Sequence, residues 1–60
     1  MNMISKFSEE NKEMKIGEFF TFYFTHTNEW RGILDFQREY YPEFKDVSRT
    51  NTSIIFQKVR

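Results

Sequence analysis

The single histidine of this chain, His26, stands three residues before Glu29. That spacing could place an imidazole and a carboxylate on one side of a helical turn. Two such groups make half a metal site, because stable zinc coordination takes three or four ligands. There is no second His and no Cys to complete it. His26 is instead expected at a strand-to-helix junction, bonding locally. Glu9 and Glu10 are adjacent carboxylates on a polar stretch, with no cleft to hold them. The chain has no glycine-rich phosphate loop, no nucleophile elbow and no thiolate. A layer of 60 residues also rarely encloses the ~300 Å³ of a small-molecule pocket. The expectation is a chain without catalytic centre, metal or cofactor, acting by binding.

The residues that could bind are aromatic. Eight Phe, three Tyr and one Trp make up 20% of the chain, more than one thin core needs. Residues 14–25 read as a strand, with Met14, Ile16, Phe20, Phe22 and Phe24 on the inward parity. Phe19 and Tyr23 fall on the other parity, separated by Thr21. Protein contact is the leading reading, since aromatics are enriched in interface cores. Alternatively, the N-terminal segment folds back and covers them with Met3, Ile4 and Phe7. The third reading is a stacking platform for single-stranded nucleic acid. Tyr40 and Tyr41 are adjacent, about 100° apart on a helix, so one must sit at the rim. Phe19, Tyr23, Tyr40, Tyr41 and the outward-facing Arg31 are the partner-binding candidates.

The nucleic-acid alternative draws on charge. The chain is neutral, but residues 1–29 carry −2, residues 30–43 carry −1 and residues 44–60 carry +3. Arg49, Lys58 and Arg60 in the last segment are the candidate phosphate contacts. Zero net charge weakens this reading, because phosphate neutralisation supplies most non-specific affinity. Edge-strand Lys and Arg serve equally to discourage aggregation.

These side chains need elements to hold them. Residues 27–41 predict an amphipathic helix, with Trp30, Ile33, Leu34, Tyr40 and Tyr41 at three- and four-residue intervals. Thr27 or Asn28 would cap it, Arg31 and Asp35 would pair at i,i+4, and Pro42 would end it. Gly32 in its interior either marks a close backbone contact or weakens the helix. Trp30 should lie between helix and sheet. Residues 44–49 and 53–59 predict strands about a Thr50-Asn51-Thr52 turn. Residues 1–13 read as a short helix, with a strand or a loose tail as alternatives; Met3, Phe7 and Met14 share a rough helical spacing. The expected fold is a single α+β domain over 1–60: a two-layer β-α-β-β unit with three strands and one helix across them. The first strand should lie beside the last or the middle one.

Size then constrains assembly. A 60-residue chain buries only ~60% of its unfolded surface, and without cysteine no disulfide can staple it. The monomer should be marginal, so a homodimer is expected. Face-to-face packing through Phe19 and Tyr23 is the preferred geometry, with pairing of the final strand as an exposed edge the other route. The lack of cysteine, of a leader-like apolar segment and of a membrane span predicts a cytoplasmic protein. Richness in Phe, Asn, Lys, Ile and Tyr with no Ala suits an AT-rich frame of phage or mobile-element origin. The expected role is a small binding protein that modulates or inhibits a larger partner.

Overall fold

A computed structural model describes residues 3–60, with side chains from Ser5 onward. The chain runs α1 (Met3–Glu13), β1 (Phe19–Tyr23), a 3-10 turn (Thr27–Glu29), α2 (Trp30–Tyr40), β2 (Phe44–Arg49) and β3 (Ser53–Lys58). The strands form one antiparallel sheet in the order β1-β3-β2. Both outer strands run antiparallel to β3, so β1 and β2 are parallel to each other with β3 between them. The chain is a small α+β domain.

The N-terminal segment is a helix and a working part of the core. Phe7 is fully buried. Its ring lies within 6.0 Å, centroid to centroid, of Phe20, Phe22, Phe36, Tyr41, Phe44 and Phe56. Those partners come from both outer strands, the central strand and α2. Both helices therefore pack on one face of the sheet. Phe7 does not cover Phe19 and Tyr23, as one reading of the sequence had it. The Met3 and Ile4 side chains of that reading lie outside the described ones.

The far end of α1 is held by a residue 44 to 47 positions away. The Lys58 ammonium donates to the carbonyls of Asn11, at 2.7 Å, and Met14, at 3.1 Å. Terminal helix carbonyls have no partner in the helix, and a cation there also meets the negative end of the dipole. The chain then reverses through Lys15–Glu18. The Glu18 carboxylate accepts from the Lys15 N–H at 2.6 Å, and Gly17 sits at φ +98°, a conformation L side chains rarely adopt.

That reversal shortens the first strand. The sequence predicts it over 14–25, but it occupies Phe19–Tyr23. Met14 extends α1 through its N–H to Glu10, and Ile16, expected to point inward, is exposed in the turn. Phe20 and Phe22 are buried as expected. β2 keeps its expected bounds, with Val47 as an extra residue where its register on β3 shifts. β3 is central rather than an edge, which removes it as a route for edge pairing with a second copy.

α2 begins one turn later than the pattern suggests. Thr27 and Asn28 lie in the 3-10 turn and make no cap bond; the Glu29 carboxylate instead reaches back to the Thr25 N–H at 3.3 Å. Ile33, Leu34 and Gln37 face the sheet. Gln37 ties the helix to β2 by donating to the carbonyls of Tyr41, at 2.9 Å, and Phe44, at 2.7 Å. Tyr41 leaves the helix at φ −134° and ψ 62°, outside the α region that a following proline disfavours.

Candidate functional site

The sheet face opposite the helices is uncovered, and cross-strand register fixes what it displays. Residues paired across antiparallel strands share a face. Phe19, Gln57 and Lys45 form one row, and Thr21, Ile55 and Ser48 the next. Tyr23 stands beside Ser53, and Val47 projects at the bulge. Phe19 is 59% exposed and Tyr23 74%. The other seven of the eight Phe are buried or packed against the core on the helix side. Phe19 is the exception, and no described element covers it.

Of the remaining candidates, Tyr40 and Tyr41 divide as expected. Tyr41 stacks on Phe7 with centroids 5.6 Å apart, while Tyr40 is 65% exposed and touches Phe36. Tyr40 projects from the helix side, so the structure does not bring it together with Phe19 and Tyr23. Arg31 makes no ion pair with Asp35, contrary to expectation. Its guanidinium turns back over the Trp30 ring, 5.2 Å from the centroid. Trp30 is half-buried at the end of the helix-sheet layer, not sealed inside it.

The three cations of the nucleic-acid reading are dispersed. Lys58 is spent on the α1 carbonyls. Arg49 pairs with Ile54 and so points to the helix side, where its guanidinium lies 3.6 Å from the Trp30 ring centroid. Arg60 donates to the Pro42 carbonyl at 3.2 Å. None flanks Phe19 and Tyr23; Lys45, two strands away in the Phe19 row, is the cation on that face. Arg31 and Arg49 instead meet at a polar cleft of about 460 Å³ around Trp30, with Asn28, Thr50 and Asn51.

A second concavity, of about 490 Å³, lies between the end of β1 and the start of α2. It touches Phe22, Tyr23 and Phe24, then Asn28, Glu29, Gly32 and Ile33. A Cβ at Gly32 would have no heavy atom within 4 Å. The glycine makes no close backbone contact; it leaves a notch in the helix wall of this groove. Sequence reasoning singled out Gly32 but did not reach the groove, which exists only once the start of α2 sits beside the end of β1. It also missed Ile55 and Val47 on the open face. The unbroken apolar run Ile54-Ile55-Phe56, which suits a strand flanked on both sides, was the signal for the former.

No cluster of three or more His, Cys, Asp or Glu that could hold a metal occurs among the described residues, and none of their helices is long and apolar enough to cross a membrane. Comparison of the chain with protein-family models, with curated proteins and with solved structures finds no match.

Proposed function

We propose that this chain is a small non-catalytic binding protein that modulates or inhibits a larger partner protein, of the kind phage and other mobile elements direct at host factors. The observation that supports the reading is the uncovered sheet face, with Phe19 and Tyr23 exposed around Ile55 and Val47. A domain this small gains stability by burying every aromatic it can. Leaving two in water on one strand, while the rest of the Phe set packs inward, is a cost that a partner would recover. Cysteine-free composition suits a reducing compartment, and we place the action in the cytoplasm. The same face offers a two-fold contact with a second copy, which would bring identical patches together. Affinity capture from the source cell tests the reading: a protein should be retained by the native chain and lost with Phe19→Ser/Tyr23→Ser. Recovery of nucleic acid with no protein would overturn it.

One observation favours a second reading. It is nucleic-acid binding, placed not on the sheet face but at the Trp30 cleft, where Arg31 and Arg49 converge on an aromatic ring. Fluorescence anisotropy with labelled single strands should then show binding that weakens steeply with salt and is lost on Arg49→Gln. A flat signal at low salt removes this reading.

A further inference from the structure

The free edge of β1 is unlike the other edge of the sheet. Hydrogen bonds join Lys58 to Glu18 at one end of β1 and Phe24 to Thr52 at the other. Hydrogen-bonded pairs alternate along an antiparallel ladder. Phe20 and Phe22 therefore bond to β3, and the N–H and C=O groups of Phe19, Thr21 and Tyr23 point away from it. No turn, loop or side-chain hydrogen bond among the described residues uses these six groups. The β2 edge is interrupted by the Val47 bulge and carries Lys45, Asp46 and Arg49, devices that discourage strand pairing. The β1 edge, Phe19–Tyr23, has no charge, no proline and no break in its register.

The groove beside α2 meets this same edge at the end of β1. Successive strand residues point to opposite faces, so a concavity touching Phe22, Tyr23 and Phe24 opens at the margin of the strand, at its C-terminal end. We infer that β1 accepts an extended peptide of the partner protein as a fourth strand, with an apolar side chain entering the groove at Gly32. Main-chain pairing would give affinity, and the groove would select alternate side chains. Charge defines the peptide further. Residues 17–29 carry Glu18 and Glu29 and no Lys or Arg, and Lys6, whose ammonium lies 5.7 Å from the Phe20 ring centroid, is paired with Glu10, so a peptide with a basic residue is favoured. A second copy fits the edge poorly. Two β1 strands could pair, but Phe20 and Phe22 of the incoming copy are already buried in their own core and could not fill the groove. This inference rests on the protein-binding reading and names the form of the partner.

The test selects a displayed library of random octapeptides against the full chain, with Thr21→Pro and Gly32→Leu as counter-targets. The Thr21 N–H has no partner, so proline is tolerated there by the fold yet blocks an added strand. A Cβ at Gly32 meets no heavy atom within 4 Å, so leucine there starts from an open position and adds bulk to the notch. Enriched peptides should alternate apolar and polar residues and carry Lys or Arg. They should bind about tenfold or more weakly to either variant, the factor expected when a main-chain pairing or a side-chain pocket is lost. On binding, the amides of Phe19, Thr21 and Tyr23 should slow in hydrogen exchange. No enrichment, or binding indifferent to both variants, overturns the inference. Binding lost only with Phe19→Ser/Tyr23→Ser retains the open sheet face as the contact surface and rejects strand addition. Slow exchange of the three amides without peptide, rising with protein concentration, assigns the edge to a second copy and also rejects it. If Thr21→Pro lowers the thermal midpoint, Gly32→Leu and the exchange pattern decide.

Discussion

The guanidinium of Arg49 lies over the Trp30 ring, 3.6 Å from its centroid, joining the end of β2 to the first turn of α2. A cation over an indole face is worth ~0.5–1 kcal/mol at exposed sites. The pair closes one end of the helix-sheet layer, where burial is incomplete. Arg49→Gln should therefore lower stability by about 1 kcal/mol in urea denaturation followed by circular dichroism. Trp30→Ala should cost ~2–3 kcal/mol, below the ~3–5 kcal/mol of a sealed aromatic. In the double variant the two losses should fall short of additive, because they share one contact. Full additivity would mean that the stacking contributes nothing.

Phe7 is the keystone of the aromatic core, although it belongs to the segment whose sequence says least. Phe7→Ala should cost ~3–5 kcal/mol, enough to unfold most of a marginal domain. Ser5→Ala, two residues away and exposed, should leave the midpoint nearly unchanged. If Phe7→Ala melts like the native chain, α1 is not part of the cooperative unit.

These two sites also show where sequence reading reached and where it stopped. β2, the start of β3 and the apolar stripe of α2 were legible because alternation and helical spacing are local signals. The short helix read over 1–13 is there as α1, but its docking was not legible, because its main buried residue is one phenylalanine and its C-terminal carbonyls are satisfied by Lys58, far along the chain. The basic residues near the C-terminus read alike as phosphate contacts, yet each has a separate structural use. Cross-strand register separates them: it sends Lys58 and Arg49 to the helix side. Phe19 and Tyr23 were legible as outward-facing by parity alone. That nothing described covers them could be learned only from the position of Phe7.

Gln37 gives a pH-dependent test of the junction between α2 and β2. Its amide donates to two carbonyls from a buried position, and its own oxygen lacks a partner. Gln37→Glu would set a buried carboxylate against those carbonyl oxygens. Burial and the loss of donors raise the pKa of such an acid in the folded state. The variant's stability should then be greatest below the unfolded Glu value of ~4.3 and should fall as pH rises toward the raised folded value. Urea midpoints at several pH values, set against the native chain, measure this. A difference independent of pH would mean that the side chain escapes to water.

Gly32 carries a helix cost of ~1 kcal/mol relative to alanine. Its Cβ direction is open, so Gly32→Ala should raise stability by about that amount in thermal or urea unfolding. A loss of stability would mean that α2 packs more closely on β1 than the groove indicates.

The central claim is that Phe19 and Tyr23 serve contact rather than folding, and the Phe19→Ser/Tyr23→Ser variant tests it most directly. Sedimentation equilibrium and thermal melts on both chains separate the two roles. The account predicts that the variant keeps its fold, losing no more than ~1 kcal/mol for weaker strand propensity. It also predicts that the variant loses the self-association and the concentration-dependent melt of the native chain, together with capture of the partner. A variant that unfolds while the native chain sediments as a monomer with a concentration-independent melt would contradict it, because the two aromatics would then belong to the core of a self-sufficient fold.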